Sequence, residues 1–268
     1  ELMAEMGCNW IRLSHYQHAQ KVYDLADEMG IVLSTEIPIV NGVVFTDEFI
    51  ENCKDQLREL IRQNFNHPSV CFWLLYNELT TSGSETVIQQ LHDLAKAEAP
   101  TRLTAAAHNN TSDTAAWSYV TDLLAYNRYY GWYGSTPASY FATWADSIHS
   151  SRSTDEIGIT EYGAGANPYH HEEYAAWPSP GGAWHPEEYQ CTLHEVHWKA
   201  MKERPFLWCK TIWNGFDFAV DSRNEGGQPG LNDKGMITRD RTLKKDVFYW
   251  YKANWSSEPV VYITSRRF

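Results

Sequence analysis

Short apolar runs alternate with amphipathic stretches along almost the whole chain. Asn9–Ser14 (NWIRLS), Ile31–Thr35 (IVLST), Val70–Leu75 (VCFWLL), Arg102–Ala106, Leu123–Tyr126, Ile157–Thr160 and Leu207–Trp213 read as strands, being short and bounded by polar or turn residues. Helical periodicity fills the intervals. Lys21–Met29 stops at Gly30, and Asp47–Asn64 sets Phe49, Ile50, Cys53, Leu57, Leu60 and Ile61 on one face. Glu85–Glu98, Ala138–Ser150, Glu187–Glu203 and Lys244–Ala253 complete the set. Strict alternation of this kind predicts βα units and a parallel sheet covered on both faces. Seven such strands predict a (β/α)8 TIM barrel of the α/β class that lacks its first strand. If the opening helical stretch Glu1–Met6 is the first barrel helix, that strand lies upstream. Long interruptions follow the strands ending near Glu161 and Trp213, and in a barrel such loops build the reacting face.

Composition narrows the function classes. The 268 residues, 43% hydrophobic, form one large domain, expected to span 1–268. With 34 acidic against 22 basic residues, the net charge of −12 argues against nucleic acid or an anionic membrane as partner. No apolar run is long enough to span a bilayer. Aromatic residues make up 14% of the chain, and flat rings with a polar edge suit sugar faces as well as a large core. The chain opens without methionine, so the native N-terminus is expected upstream, and the compartment is left unread.

Polar residues at strand ends are informative because a barrel gathers them around one mouth. In order they are Arg12, Ser14 and His15; Glu36; Asn77 and Glu78; Asn127 and Tyr129; Glu161 and Tyr162; Trp213 and Asn214. Glu78 and Glu161 end strongly apolar strands (CFWLLYNE and IGITEYG), where a buried charge is costly unless pairing or function compensates it. Two carboxylates facing each other across a sugar are what acetal cleavage requires. A separation of about 5–5.5 Å implies a covalent glycosyl-enzyme and retention of configuration.

Asn66–Val70 (NHPSV), Tyr76–Glu78 (YNE), Asn127–Tyr133 (NRYYGWY), Thr160–Gly165 (TEYGAG), Ile11–Tyr16 (IRLSHY) and Asn232–Arg241 (NDKGMITRDR) resemble glycoside hydrolase family 2, in the family's order over essentially the whole chain. The resemblance implies the family's central catalytic barrel, acting without a cofactor on terminal β-galactosides, with β-glucuronides as the nearer alternative. A barrel that binds carbohydrate without catalysis is the alternative from another class. By the same resemblance Glu78 is the general acid/base, Glu161 the nucleophile, and Asn77 a hydrogen-bond partner of the sugar 2-hydroxyl. Arg12 and Tyr129 hold Glu161 ionised and aimed, whereas Glu78 keeps its proton in drier surroundings. His15 contacts the sugar or is simply hydrogen-bonded at a strand end. Glu36 is a ligand contact or the partner of Arg12. Trp213 is a stacking platform or core. Asn232 and Lys234 form an Asn-x-Lys pattern that grips a substrate carboxylate in glucuronidases, while its continuation NDKG resembles the galactosidase version.

Full family members also carry upstream β-sandwich domains, absent from these 268 residues, and association into homo-oligomers is left open. Some members hold magnesium through a Glu and a His after the strand-three glutamate. Here IPIVNG follows Glu36, so no such metal site is expected. His170, His171, His185, His194 and His197 show no H-E-x-x-H pattern and are expected on the surface or in packing. Among the cysteines, Cys71 and Cys209 read as buried small hydrophobes. Glu172, Glu173, Glu187 and Glu188 read as a solvated face. Asn109–Thr111 and Asn254–Ser256 fit the glycosylation sequon.

Overall fold

A computed structural model describes residues 1–109, 113, 115–152 and 156–263. Its sequential elements are α1 (Leu2–Glu5), β1 (Trp10–Leu13), α2 (Gln20–Met29), β2 (Val32–Glu36), α3 (Asp47–Asn64), β3 (Val70–Asn77), α4 (Glu85–Glu98), β4 (Leu103–His108), β5 (Leu124–Asn127), α5 (Tyr140–Ser151), β6 (Ile157–Glu161), α6 (Glu187–Lys202), β7 (Leu207–Lys210), β8 (Phe218–Glu225), β9 (Gln228–Asn232) and α7 (Asp246–Trp255).

Strands β1 to β7 form one sheet in chain order, each parallel to its neighbour. This is the TIM-barrel arrangement expected from the alternation. The sheet curls far enough that Trp10 on β1 stacks on Phe72 of β3 at 4.6 Å and meets Trp208 of β7 at 5.2 Å. Its two edge strands thus share one aromatic plug inside the curl.

Local signals explain the best-defined helices. Thr46 caps α3 by accepting from the Phe49 N–H at 3.3 Å, with Asp47 and Glu48 in the first turn and Arg62 in the last. Gly30 ends α2 at φ 67°, a left-handed conformation that carries little cost for glycine. The inward faces of α2, α3 and α4 pack on β1–β4 through Tyr23, Leu57, Leu60, Trp73 and Leu91. A second core joins α5, α6 and α7 to β5–β7 through Phe141, Ile157, Met201 and Phe248. Burying each such side chain contributes about 1.5–3 kcal/mol. Among the described residues no helix is long and apolar enough to cross a membrane.

Several expectations need correction. Strand β7 ends at Lys210, not Trp213, because the chain turns away there to carry Trp213 to the mouth. The interval after Trp213 is not all loop: β8 and β9 pair as an antiparallel hairpin whose turn holds Gly226 and Gly227, both at positive φ. The sequence FAVDSRNE hides this strand because charges break its apolar alternation. Cys71 is only half-buried, since its β3 position faces away from the core, while Cys209 is buried. Glu187 is buried at the start of α6, where it accepts from the Asp246 N–H at 3.4 Å, and so leaves the expected solvated face. Of the surface or packing roles expected for the histidines, His185, His194 and His197 take packing, all three being fully buried. In the sequon Asn109–Thr111, Asn110 and Thr111 lie outside the described residues.

Candidate active site

Parallel register brings the strand-end residues to one mouth. Arg12 pairs with Ser34 beside Glu36, Asn77 with Ala107, and Asn127 with Glu161. From these positions the side chains converge. Arg12 is the hub: its Nη1 donates to Glu161 Oε1 at 2.7 Å, and its Nη2 donates to Glu36 Oε2 at 2.9 Å and Asn77 Oδ1 at 3.0 Å. Burial opposes the guanidinium charge, but Glu36 and Glu161 outweigh it and hold the Arg12 pKa above its ordinary value. Arg12 therefore stays a cation. Glu36, 1% exposed, is the partner of Arg12, and His15 Nδ1 lies 3.1 Å from its Oε1.

Glu161 also accepts from the Tyr129 hydroxyl at 2.7 Å. Burial, then the charge of Glu161, raise the Tyr129 pKa well above normal, so the phenol remains a neutral donor. For Glu161 itself, burial raises the pKa, Arg12 opposes the rise, and the charge of Glu78 adds to it. The net direction is upward. Loss of water outweighs Arg12 and Tyr129 in the free site, although both favour the ionised form of Glu161 as expected. A chain of hydrogen bonds through Arg12, Asn77 and Asn127 joins Glu161 to Glu78.

Glu78 lies one residue past β3 at φ 55° and is held differently. Asn127 Nδ2 donates to Glu78 Oε1 at 2.7 Å and to Asn77 Oδ1 at 3.1 Å, and Asn109 Nδ2 donates to the same Glu78 oxygen at 3.1 Å. Asn127 is oriented in turn by Thr160, whose hydroxyl donates to its Oδ1 at 2.8 Å. Glu78 is half-buried, whereas Glu161 is 5% exposed, so the expectation of drier surroundings for Glu78 is corrected. Its place beyond the strand end sets it at the rim, while Glu161 still belongs to the wall.

Trp213 stacks on His15 with ring centres 5.1 Å apart, and its backbone N–H donates to the Tyr162 carbonyl at 2.9 Å. The close approach depends on Gly163, where a Cβ would meet the Trp213 carbonyl at 2.4 Å. Asn232 ends β9, Lys234 lies just beyond it, and both are buried. Asn232 Oδ1 accepts from the Lys234 N–H at 3.1 Å, and Lys234 Nζ donates to Glu225 Oε2 at 2.9 Å. The ammonium also lies 5.5 Å from the ring centres of Trp132 and Tyr133. Beneath this turn, Lys245 holds Asp217 at 2.8 Å, and His185 Nδ1 lies 2.6 Å from Asp233 Oδ2.

The structure thus unites Arg12, His15, Glu36, Asn77, Glu78, Tyr129 and Glu161 in one connected cluster, with Trp213 joined through His15. Asn127, seen in the sequence only as a strand end, proves to be the main support of Glu78. Asn109 was read only as part of a glycosylation sequon, and Arg223 and Glu225 were not singled out; the Gly226-Gly227 pair was the signal for the hairpin that carries the last two.

Comparison with known proteins agrees with this geometry. The family model of glycosyl hydrolases family 2, TIM barrel domain, matches residues 1–257. A β-glucuronidase of Bacteroides fragilis is 48% identical over 99% of this chain and 39% of its own. Among solved structures, a Bacteroides fragilis protein provisionally called a β-galactosidase superposes with a TM-score of 0.91 at 38% identity, over 97% of this chain and 38% of that one. A Bacteroides uniformis β-glucuronidase covalently bound to cyclophellitol-6-carboxylate aziridine gives a TM-score of 0.87 at 31% identity, over 99% of this chain and 33% of that one. The chain spans about two-fifths of the length of that curated relative.

Proposed function

Because this chain belongs to glycosyl hydrolases family 2, we propose that residues 1–268 are the catalytic barrel of a retaining β-glycosidase and that its sugar is a β-glucuronide. The observation that carries the mechanism is the opposite support of the two carboxyls: a cation and a phenol on Glu161, amides on Glu78. Glu161 attacks the anomeric carbon as the carboxylate, and Glu78 gives its proton to the leaving oxygen, forming a covalent glycosyl-enzyme. Glu78 then takes a proton from water, which attacks the same carbon and releases Glu161. Asn77, fixed between Arg12 and Asn127, is placed to bond the 2-hydroxyl, a contact that strengthens as positive charge develops on the ring. His15 and Trp213 offer a flat wall for the sugar face.

The acidic sugar is supported by the Bacteroides fragilis and Bacteroides uniformis glucuronidases and by the Asn232–Lys234 pair, two donors suited to a carboxylate. The galactoside first expected from the sequence remains the second reading. It is favoured by the burial of Lys234 against Glu225, which leaves that ammonium already compensated, and by the likeness to the provisional β-galactosidase.

Hydrolysis of matched nitrophenyl β-glucuronide and β-galactoside by the full chain, followed by NMR of the first-formed anomer, tests both statements. Glucuronide is expected to be preferred, with retention. A large preference for galactoside reverses the sugar, inversion removes the covalent intermediate, and cleavage of neither removes the activity.

A further inference from the structure

The buried Lys234 cannot by itself be where an acidic sugar first finds a cation. Its ammonium is fully buried and holds Glu225, and the same carboxylate accepts from Arg223 Nη1 at 2.5 Å. The β8–β9 hairpin creates this arrangement, because Arg223 and Glu225 lie on one strand and Lys234 just beyond the other. Arg223 Nη1 also reaches the Tyr133 hydroxyl at 3.4 Å, Tyr133 packs edge-on against Tyr129 at 5.1 Å, and Tyr129 donates to Glu161. Two tyrosines therefore connect this guanidinium to the candidate nucleophile.

The neighbouring cations are closed off. Arg12 is committed to Glu36 and Glu161, and Lys245 to Asp217 and the carbonyls of Ala166 and Asp233. Arg223 differs in that 39% of its side chain is exposed. Both of its hydrogen bonds leave from Nη1, so among the described residues its Nη2 and Nε hydrogens are uncommitted. A planar fork with two free donors beside a sugar site matches a carboxylate far better than a hydroxymethyl group.

We propose that Arg223 is a specificity-determining residue that binds the carboxylate of a hexuronide substrate, and that Glu225 is the internal carboxylate which holds the guanidinium until that sugar arrives. This rests on the glycosidase reading above. Removing Arg223 then costs binding of the acidic sugar alone, and neutralising Glu225 removes a negative charge that competes with the substrate carboxylate for the same guanidinium.

The test is steady-state kinetics of Arg223→Gln, Arg223→Lys and Glu225→Gln in the full chain, on nitrophenyl β-glucuronide and β-galactoside. Arg223→Gln is expected to raise KM for the glucuronide roughly tenfold or more, with kcat within about threefold of the parent. KM for the galactoside should stay unchanged, Arg223→Lys should fall between, and Glu225→Gln should lower the glucuronide KM. Equal losses on both sugars, or an unchanged glucuronide KM, would overturn the assignment. Calorimetric titration with D-glucuronate reads the same contact without turnover. Weaker binding to Arg223→Gln supports it even in a chain that cleaves neither substrate, whereas equal or no binding refutes it.

Discussion

Arg12 ties two buried carboxylates together, donating to Glu161 at 2.7 Å through Nη1 and to Glu36 at 2.9 Å through Nη2. Glu36 thereby fixes the guanidinium that fixes the candidate nucleophile. Burial raises the Glu161 pKa, and Arg12 is the largest opposing influence. The acid limb of the kcat/KM profile, which reports ionisation of the free site, is therefore expected above the ordinary glutamate range. Arg12→Gln removes the opposition, so the limb moves to still higher pH, by roughly one to three pH units. A limb that stays in place would dissociate Arg12 from Glu161 ionisation.

Glu161→Gln keeps the shape of the side chain but removes the oxygen anion proposed to attack. Turnover should fall by several orders of magnitude while the circular-dichroism melting curve stays near that of the parent, because a buried group penalised for its charge has been neutralised. Retention of most of the rate would exclude Glu161 as nucleophile.

Asn127 and Asn109 hold Glu78, the proposed general acid. Asn127→Ala and Glu78→Ala should both slow glycosides with poor leaving groups much more than activated aryl glycosides, since only the former need the proton; general-acid help is worth about 10²–10⁴-fold. Comparing alkyl with dinitrophenyl glycosides measures this, and parallel losses would take the acid role from Glu78.

Below the Asn232–Lys234 turn, burial pushes Asp217 up to about 6 despite Lys245 at 2.8 Å. A carboxyl with a raised folded pKa binds protons more tightly folded than unfolded, so its share of stability falls as pH rises from its ordinary value towards 6. The melting temperature of Asp217→Asn relative to the parent should therefore improve between pH 4 and pH 7. Lys245→Met strands the carboxylate and should destabilise by about 3–5 kcal/mol at neutral pH. A constant difference across that pH range would show that Asp217 does not titrate there.

Elements with local signals were legible from residues alone. The helices Asp47–Asn64 and Glu85–Glu98 have the predicted bounds because apolar periodicity and end signals act within a few residues. Glu78 and Glu161 could be singled out because each ends an apolar strand. The hairpin β8–β9 escaped because half-exposed, charged strands lack the alternation that marks a buried one. The support of Glu78 by Asn127 escaped for another reason: it joins residues 49 positions apart, and only strand order and register bring them together.

The sequence by itself determined that strands and helices alternate, that a parallel barrel wall follows, and that two glutamates stand at its mouth, since each of these depends on short-range pattern. The tertiary structure decided how those glutamates differ. Burial reached only in the folded barrel raises Glu161 against Arg12, and the curl of the sheet sets Glu78 at the rim under two amides. Electrostatics at such a site depend on how much water is removed and which charges meet, and those are properties of the assembled fold.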